Sequence, residues 1–385
     1  MTDPLALSLD VSAVPERPGG AGYYTMAIAR GLGQRDDVQL SLIARRGDAA
    51  RWQAMVSDPT SVCEVVPPAR PQRLLFEQAG FPSLLRSLQV AVHHGPHYTM
   101  PARAPVPCTV TIHDCTFFDH PEWHVRTKAA FFRRAIRRAA TSAGALVCVS
   151  EVTAARLHDV CRVRAPVVVA PHGVDHRRFA ASEAEPGADA ALLGSIGIPA
   201  GRPLVVFVGT LEPRKGVATL VAAFDLVAER HGGALLVLGG QPGWGLAETE
   251  RALAESAHRD RILATGYLPD EAVPALLRRA TVVAYPALEE GFGLPALEAL
   301  ACGAPLVTTE GTAMAEMAGG AAQLVAPGDV AMLAEALETA LSEGREGTQA
   351  GVRRVQGLAV AAAHTWEASL DAHLRAYAMA RMGSL

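Results

Sequence analysis

Residues 285–307 read Y-P-A-L-E-E-G-F-G-L-P-A-L-E-A-L-A-C-G-A-P-L-V, which is a strand, a glycine loop, a helix and the start of a further strand in one line. Gly291 and Gly293 let the backbone approach a ligand closely, and Pro295 suits a first helical turn whose free N–H groups and dipole favour an anion. Glu290 lies on the loop and Glu298 about one turn into the helix, so both carboxylates can address one bound molecule. Carboxylates accept paired hydrogen bonds from vicinal hydroxyls, as on a ribose or a hexose. The plain alternative is an ordinary turn followed by an ordinary first-turn glutamate.

Outward from this stretch, short apolar runs alternate with helical patterns along all 385 residues, the signature of parallel sheets covered by helices. Strands are predicted at residues 5–11, 38–43, 90–94, 106–113, 145–149 and 167–170, then at 204–208, 234–238, 261–265, 282–285, 305–308 and 321–325. Helices are predicted at 23–32, 73–87, 126–140, 152–160, 217–229, 270–279, 294–302 and 330–342. A breaker-rich stretch after Phe179 predicts a boundary. This gives an N-terminal Rossmann-like domain over 1–180, a linker over 181–203 and a C-terminal domain over 204–364, with residues 365–385 as a last helix. Two doubly wound α/β domains facing a central cleft would collect a ligand at the carboxyl ends of their strands.

A second glycine loop, V-G-T-L-E-P-R-K-G at 208–216, opens the C-terminal domain and places Arg214 and Lys215 at a helix start. Cations there oppose the helix dipole, a placement explained by an anion between them. Lys215 is one of only two lysines, with Lys128. A solvated surface pair is the alternative. The run lacks G-K-[ST], so it is no Walker A loop. No D-x-D occurs in the chain, so the expectation is phosphate charge met by cations and helix ends, with no metal and no cofactor.

In the N-terminal domain, Gly19, Gly20 and Gly22 read as a flexible loop bordering the cleft rather than a dinucleotide fingerprint. His113 ends an apolar strand, where a ring N–H can reach a sugar hydroxyl or phosphate, although a structural role is the usual one for a lone histidine. Arg133, Arg134, Arg137 and Arg138 form a basic helical stripe, read as a solvated face, with a weak peripheral contact to anionic lipid or contact with a phosphorylated acceptor as the sharper alternative. The formal net charge of −4 argues against a general nucleic-acid binder. Six scattered cysteines, no secretory pattern and no apolar run of ~18 residues lead to the expectation of a cytoplasmic protein, with the inner membrane face as the place for any lipid contact.

These residues resemble the retaining family 4 glycosyltransferases of the GT-B fold. The resemblance rests on Glu290 and Glu298 with seven residues between them, the 208–216 run, V-T-I-H-D at 110–114, V-S-E at 149–151, A-P-H-G-V-D at 170–175 and Thr365-Trp366-Glu367 before the last helix. It implies a nucleotide diphosphate sugar as co-substrate. Glu298 would hold the donor ribose, Arg214 and Lys215 the diphosphate, and Glu290 with the Phe292-Gly293-Leu294 backbone the transferred sugar. His113 would sit near the reacting side of that sugar. Gly209, Gly291 and the Gly266-Tyr267-Leu268 turn complete the donor-side set. Gly216 stands where the family often has Asn, a departure. The R-L-L-F-E-Q and H-G-P-H-Y-T-M-P segments look most like mannosyltransferases. The acceptor is a glycan, a lipid-linked sugar or a small molecule. Two other readings are a nucleotide-sugar 2-epimerase-like enzyme and a non-catalytic nucleotide-sugar-binding protein.

Overall fold

A computed structural model describes residues 3–345 and 347–383. Apolar runs such as Leu204-Val-Val-Phe-Val208 and Val282-Val-Ala-Tyr285 are rich in branched and aromatic residues and almost wholly buried, as strands covered on both faces require. The chain divides into two compact units, Met1–Gly173 with Trp366–Leu385, and Val174–Thr365. The first holds β1 (Leu5–Asp10), β2 (Val38–Arg45), β3 (Val62–Val66), β4 (Val92–Gly95), β5 (Cys108–Ile112), β6 (Ala145–Cys148) and β7 (Val167–Val169). The second holds β8 (Leu204–Val208), β9 (Leu235–Gly239), β10 (Ile262–Gly266), β11 (Val282–Tyr285), β12 (Leu306–Thr309) and β13 (Ala322–Val325).

All pairings are parallel, in the orders β3-β2-β1-β4-β5-β6-β7 and β10-β9-β8-β11-β12-β13. Each sheet therefore winds outward, returns past its first strand and winds the other way. The reversals lie between β1 and β4 and between β8 and β11, where loops diverge and leave room for a ligand.

Several expectations are corrected. Strand β3 was not anticipated: it lies at a sheet edge and is half-exposed, so it lacks the continuous apolar run that marks its neighbours. The single helix expected over 73–87 is two, Arg70–Ala79 and Phe81–Ser87, divided at Gly80 because Pro82 brings no N–H to continue the first. The stretch 181–203, expected as a linker, belongs to the second unit and contains the helix Ala188–Ser195. Its Asp189 is buried in a two-pronged ion pair with Arg278, both N···O distances being 2.7 Å. The helices Ala247–Glu255, Ala313–Ala318 and Thr348–Ala363 were also not anticipated.

The last helix, Trp366–Met382, packs Leu370, Ala372, Ala376, Tyr377 and Ala380 into the first unit's core with Leu7, Leu9, Ile28 and Val147. Small residues four apart allow close approach, and a Cβ on Gly144 would stand 2.9 Å from that of Ala380. Beneath the helix runs a buried hydrogen-bond chain whose direction is set at one end. His373 Nδ1 donates to Ser369 O (2.7 Å), so Nε2 accepts from Tyr24 Oη (2.7 Å). Tyr24 Oη then accepts from Thr111 (2.8 Å), Thr111 from His94 Nε2 (2.8 Å), and His94 Nδ1 from Tyr377 Oη (2.9 Å).

Both imidazoles of this hydrogen-bond relay, His373 and His94, are neutral. Burial pushes His373 down to about 4 and His94 well below its ordinary value. The unfolded chain takes up protons that the folded one refuses, so stability is full above the ordinary histidine value of 6.5 and is lost as pH falls toward 4. Each pH unit in that window should cost about 1.4 kcal/mol per such histidine. Denaturant unfolding across this range should show the decline, and His373→Gln should flatten it; equal slopes would refute the account.

Candidate functional site

In the second unit the loops after β8 and β11 meet at the winding reversal. The β8 loop ends in a short turn, Pro213–Lys215, and Gly216 in the left-handed region (φ 67°) leads into the helix Val217–Ala228. A Cβ on Gly216 would lie 2.1 Å from Pro286 O. Asn tolerates this backbone conformation, but only glycine admits the close approach here, which explains the departure at this position. Leu288 N donates to Arg214 O at 2.8 Å and ties the two loops together.

This crossing brings Arg214, Lys215 and Glu290 into one cluster. Arg214 Nη1 is 3.0 Å from Glu290 Oε2, Arg214 Nε is 3.2 Å from Glu212 Oε2, and Lys215 Nζ pairs with Glu290 and donates to Tyr285 Oη at 2.7 Å. Lys215 is buried, and its ammonium is held below its ordinary value by burial and by Arg214, against the pull of Glu290. Burial raises Glu290, but Arg214 and Lys215 outweigh it and hold the carboxyl at about 2. The anion between the two cations is thus this glutamate. Glu212 and Tyr285, which sequence reasoning missed, complete the cluster. Their signal was only adjacency to the R-K pair and the end of β11.

Beside the cluster starts the helix Leu294–Ala301. Gly293 precedes it in the left-handed region (φ 92°), Pro295 occupies its first turn, and no side chain caps it. Pro295 has no N–H, and Ala296 N and Leu297 N donate to Gly293 O at 3.0 and 3.2 Å, so this start offers an anion its dipole and the Leu294 N–H. Gly291 and Phe292 on the approach are buried, Phe292 facing the His364 ring at 6.0 Å. Glu298, one turn in, is partly buried and among the described residues has no hydrogen-bond or ion-pair partner. Burial pushes its carboxyl up to about 8, Arg178 pulling down and Asp270 pushing further up. Sequence reasoning missed Arg178 and Asp270, which pair at 3.5 Å. Gly209 follows β8, Gly266 ends β10 and accepts from Gly240 N at 2.8 Å, Tyr267 is exposed and Leu268 is buried.

In the first unit His113 directly follows β5 and is buried. Its Nε2 donates to Pro96 O at 2.8 Å, so the N–H expected to serve a substrate is already engaged. Burial lowers its basicity, with Pro96 and Asp114 opposing. His93 and His94, on the neighbouring strand, are buried within β4. Gly20 and Gly22 do not belong to a loop: the helix runs Gly20–Leu32 with Gly19 as its N-cap, because Tyr23 N already bonds Gly19 O at 2.9 Å. The basic helix, Arg126–Ser142, exposes Arg134, Arg137 and Arg138, while Arg133 donates to Phe117 O at 2.6 Å. Among the described residues no helix is long and apolar enough to cross a membrane, and no group of three His, Cys, Asp or Glu could hold a metal ion.

Residues 18–178 match the family described as Glycosyltransferase Family 4, and residues 191–352 match Glycosyl transferases group 1. O-antigen chain mannosyltransferase B of Escherichia coli is 27% identical over 297 residues, 76% of this chain and 75% of that protein. The 2-deoxystreptamine glucosyltransferase of Streptomyces kanamyceticus is 31% identical over 278 residues, 66% of this chain and 70% of the relative. Among solved structures, Anabaena HepE in complex with UDP-glucose superposes with a TM-score of 0.75 at 19% identity, covering 99% of this chain and 100% of that one.

Glu298 offers a direct test of the site's electrostatics. Its folded value of about 8 exceeds the ordinary 4.5, so its contribution is intact below 4.5 and is lost as pH rises through 8. Glu298→Gln removes that titration, and its stability relative to the parent should rise across this window by on the order of 1 to 3 kcal/mol. Thermal unfolding of both proteins at the two ends checks it, and a pH-independent difference would contradict the assignment.

Proposed function

Because the chain belongs to the family 4 glycosyltransferases, we propose that its second unit binds the nucleoside diphosphate of an activated sugar, and that the enzyme transfers a mannose-like hexose with retained anomeric configuration and without a metal. The observation that carries this reading is the Arg214–Glu290–Lys215 cluster, buried at Lys215 and half-buried at Arg214 and Glu290, beside an uncapped helix start. A diphosphate competes with Glu290 for both cations and accepts from the Leu294 N–H at the positive end of the helix Leu294–Ala301. Glu290, released from its partners, accepts from hydroxyls of the transferred sugar. Glu298 accepts from the two ribose hydroxyls, which compensates its burial.

The acceptor hydroxyl attacks the anomeric carbon on the face from which the diphosphate leaves. A carbon–oxygen bond to the acceptor forms as the bond to phosphate breaks, and the departing phosphate oxygen takes the acceptor proton. Arg214 and Lys215 stabilise the charge that develops on that oxygen. Glu290 is a poor candidate for base or covalent nucleophile, since two cations hold its carboxyl at about 2. The absence of D-x-D supports metal independence. A mannose-like sugar is supported by the Escherichia coli mannosyltransferase, and a nucleotide donor by the UDP-glucose complex of HepE. The acceptor supplies a hydroxyl on a glycan, a lipid-linked sugar or a small polyol.

Three measurements test this. Arg214→Ala should weaken nucleoside diphosphate binding by about 1.5 to 3 kcal/mol and nucleoside binding far less; equal losses by calorimetry would exclude the diphosphate role. Transfer should survive EDTA, and a loss restored by Mg²⁺ or Mn²⁺ would overturn the metal-free reading. A 2′-deoxyribose donor should bind worse to the parent by roughly 1 to 3 kcal/mol, and much of that penalty should vanish in Glu298→Gln. An unchanged penalty would remove Glu298 from the ribose.

A further inference from the structure

The end of β4 and the turn that follows it, residues 94–102, are held in an unusual shape by contacts that no catalytic assignment uses. Gly95 packs so closely under the turn that a Cβ there would lie 2.1 Å from Thr99 O. Tyr98 is buried with φ 64°, in the left-handed region that an aromatic residue occupies only when its surroundings impose it. The imposing contacts come from three sides. Tyr98 N donates to Thr111 O at 3.0 Å, and Tyr98 Oη donates to Asp114 Oδ2 at 2.9 Å. Asp114 is itself fixed, its Oδ1 accepting from Thr116 N at 3.1 Å and Thr116 Oγ1 at 2.7 Å. From the helix Arg70–Ala79, Glu77 Oε2 accepts from Thr99 Oγ1 at 3.0 Å. The neighbouring Gln78 accepts from Ala102 N at 2.8 Å and donates to Met100 O at 3.3 Å.

This turn presents Pro96 O to His113 Nε2 at 2.8 Å. A carbonyl only accepts, so Nε2 carries the proton. In the neutral ring Nδ1 then has a lone pair and no proton, and among the described residues it has no partner. The Tyr24 and Tyr98 rings meet His113 edge-on at 5.0 Å and 5.6 Å and fix its plane.

We propose that Tyr98 and Gln78 are positioning residues: through the 94–102 turn they lock His113 in the Nε2–H tautomer, so that it serves a bound sugar as a hydrogen-bond acceptor at Nδ1. The ligand group it selects is therefore a hydroxyl, which can donate, and not a phosphate or carbonyl oxygen, which cannot. The functional half of this proposal rests on the glycosyltransferase reading of His113; the tautomer half does not.

The test uses the full chain with ¹⁵N-labelled histidine, the His113 ring signals being assigned by their loss in His113→Asn. Two-bond proton–nitrogen spectra should show His113 as a single Nε2–H tautomer. Tyr98→Phe removes one hydroxyl, and Gln78→Ala alters an exposed side chain, so one of the two should fold even if the other does not. In either folded variant the His113 signals should move toward a mixture of tautomers. Transfer should fall at least about tenfold in kcat, with a smaller change in KM, since the donor's diphosphate contacts are untouched. A series of deoxy-sugar donors should contain one whose rate is already low and falls no further in the variants. An Nδ1–H tautomer in the parent overturns the proposal, as does an unchanged tautomer in variants that have lost activity. A locked Nε2–H tautomer together with full activity in His113→Asn overturns the functional half alone.

Discussion

The meeting of Lys215 with Glu290 is the constraint on which the second unit's chemistry depends. Seventy-five residues separate them in the chain, and they meet because β8 and β11 are neighbours at the point where the sheet reverses its winding. Burying an ammonium alone would cost several kcal/mol, and an ion pair recovers that only with good geometry and further hydrogen bonds. Here Tyr285 takes one donor of Lys215, while Arg214 shares Glu290 and is itself held by Glu212. The four charges balance. A cluster whose charges cancel can be largely buried, and on the proposed reading a diphosphate enters it by replacing a carboxylate rather than by burying a bare charge.

Backbone geometry makes that meeting possible. Gly216 lets the β8 loop touch the backbone of Pro286, and Gly293 turns the β11 loop into the helix that carries Glu298. One loop thus supplies a carboxylate held at about 2 and the next helix turn one pushed up to about 8. The residues are chemically identical. Two adjacent cations lower the first, and burial without a hydrogen-bond partner raises the second. The first already has partners to exchange, whereas the second gains stability from any ligand that supplies hydroxyls.

The first unit solves a different problem with the same economy of charge. Its buried His94 and His373 lie beneath the last helix and His113 beside β5, and burial lowers the basicity of all three. Each neutral ring has one donor and one acceptor, so the backbone carbonyls of Ser369 and Pro96 decide which nitrogen is which. From Ser369 the choice propagates through Tyr24, Thr111 and His94 to Tyr377, fastening the helix Trp366–Met382 to the sheet. From Pro96 it sets the chemistry that His113 offers.

Read alone, the sequence determined the two-sheet α/β architecture, because short apolar runs alternate with helical patterns throughout and twelve of the thirteen strands fall in stretches read as strands. The exception, β3, is a half-exposed edge. The family was legible in the same way, through Glu290, Glu298, Arg214 and Lys215 at their spacings. Helix starts at glycine, the division at Gly80 and the helix Ala188–Ser195 were not legible, since local propensity there is weak and tertiary contacts decide. Nor could a linear pattern reveal that the anion between Arg214 and Lys215 is Glu290, that the partly buried Glu298 carboxyl has no hydrogen-bond partner among the described residues, or that His113 Nε2–H already donates to Pro96 O. Partner, burial and tautomer depend on which loops lie side by side, and only the folded sheet order brings those loops together.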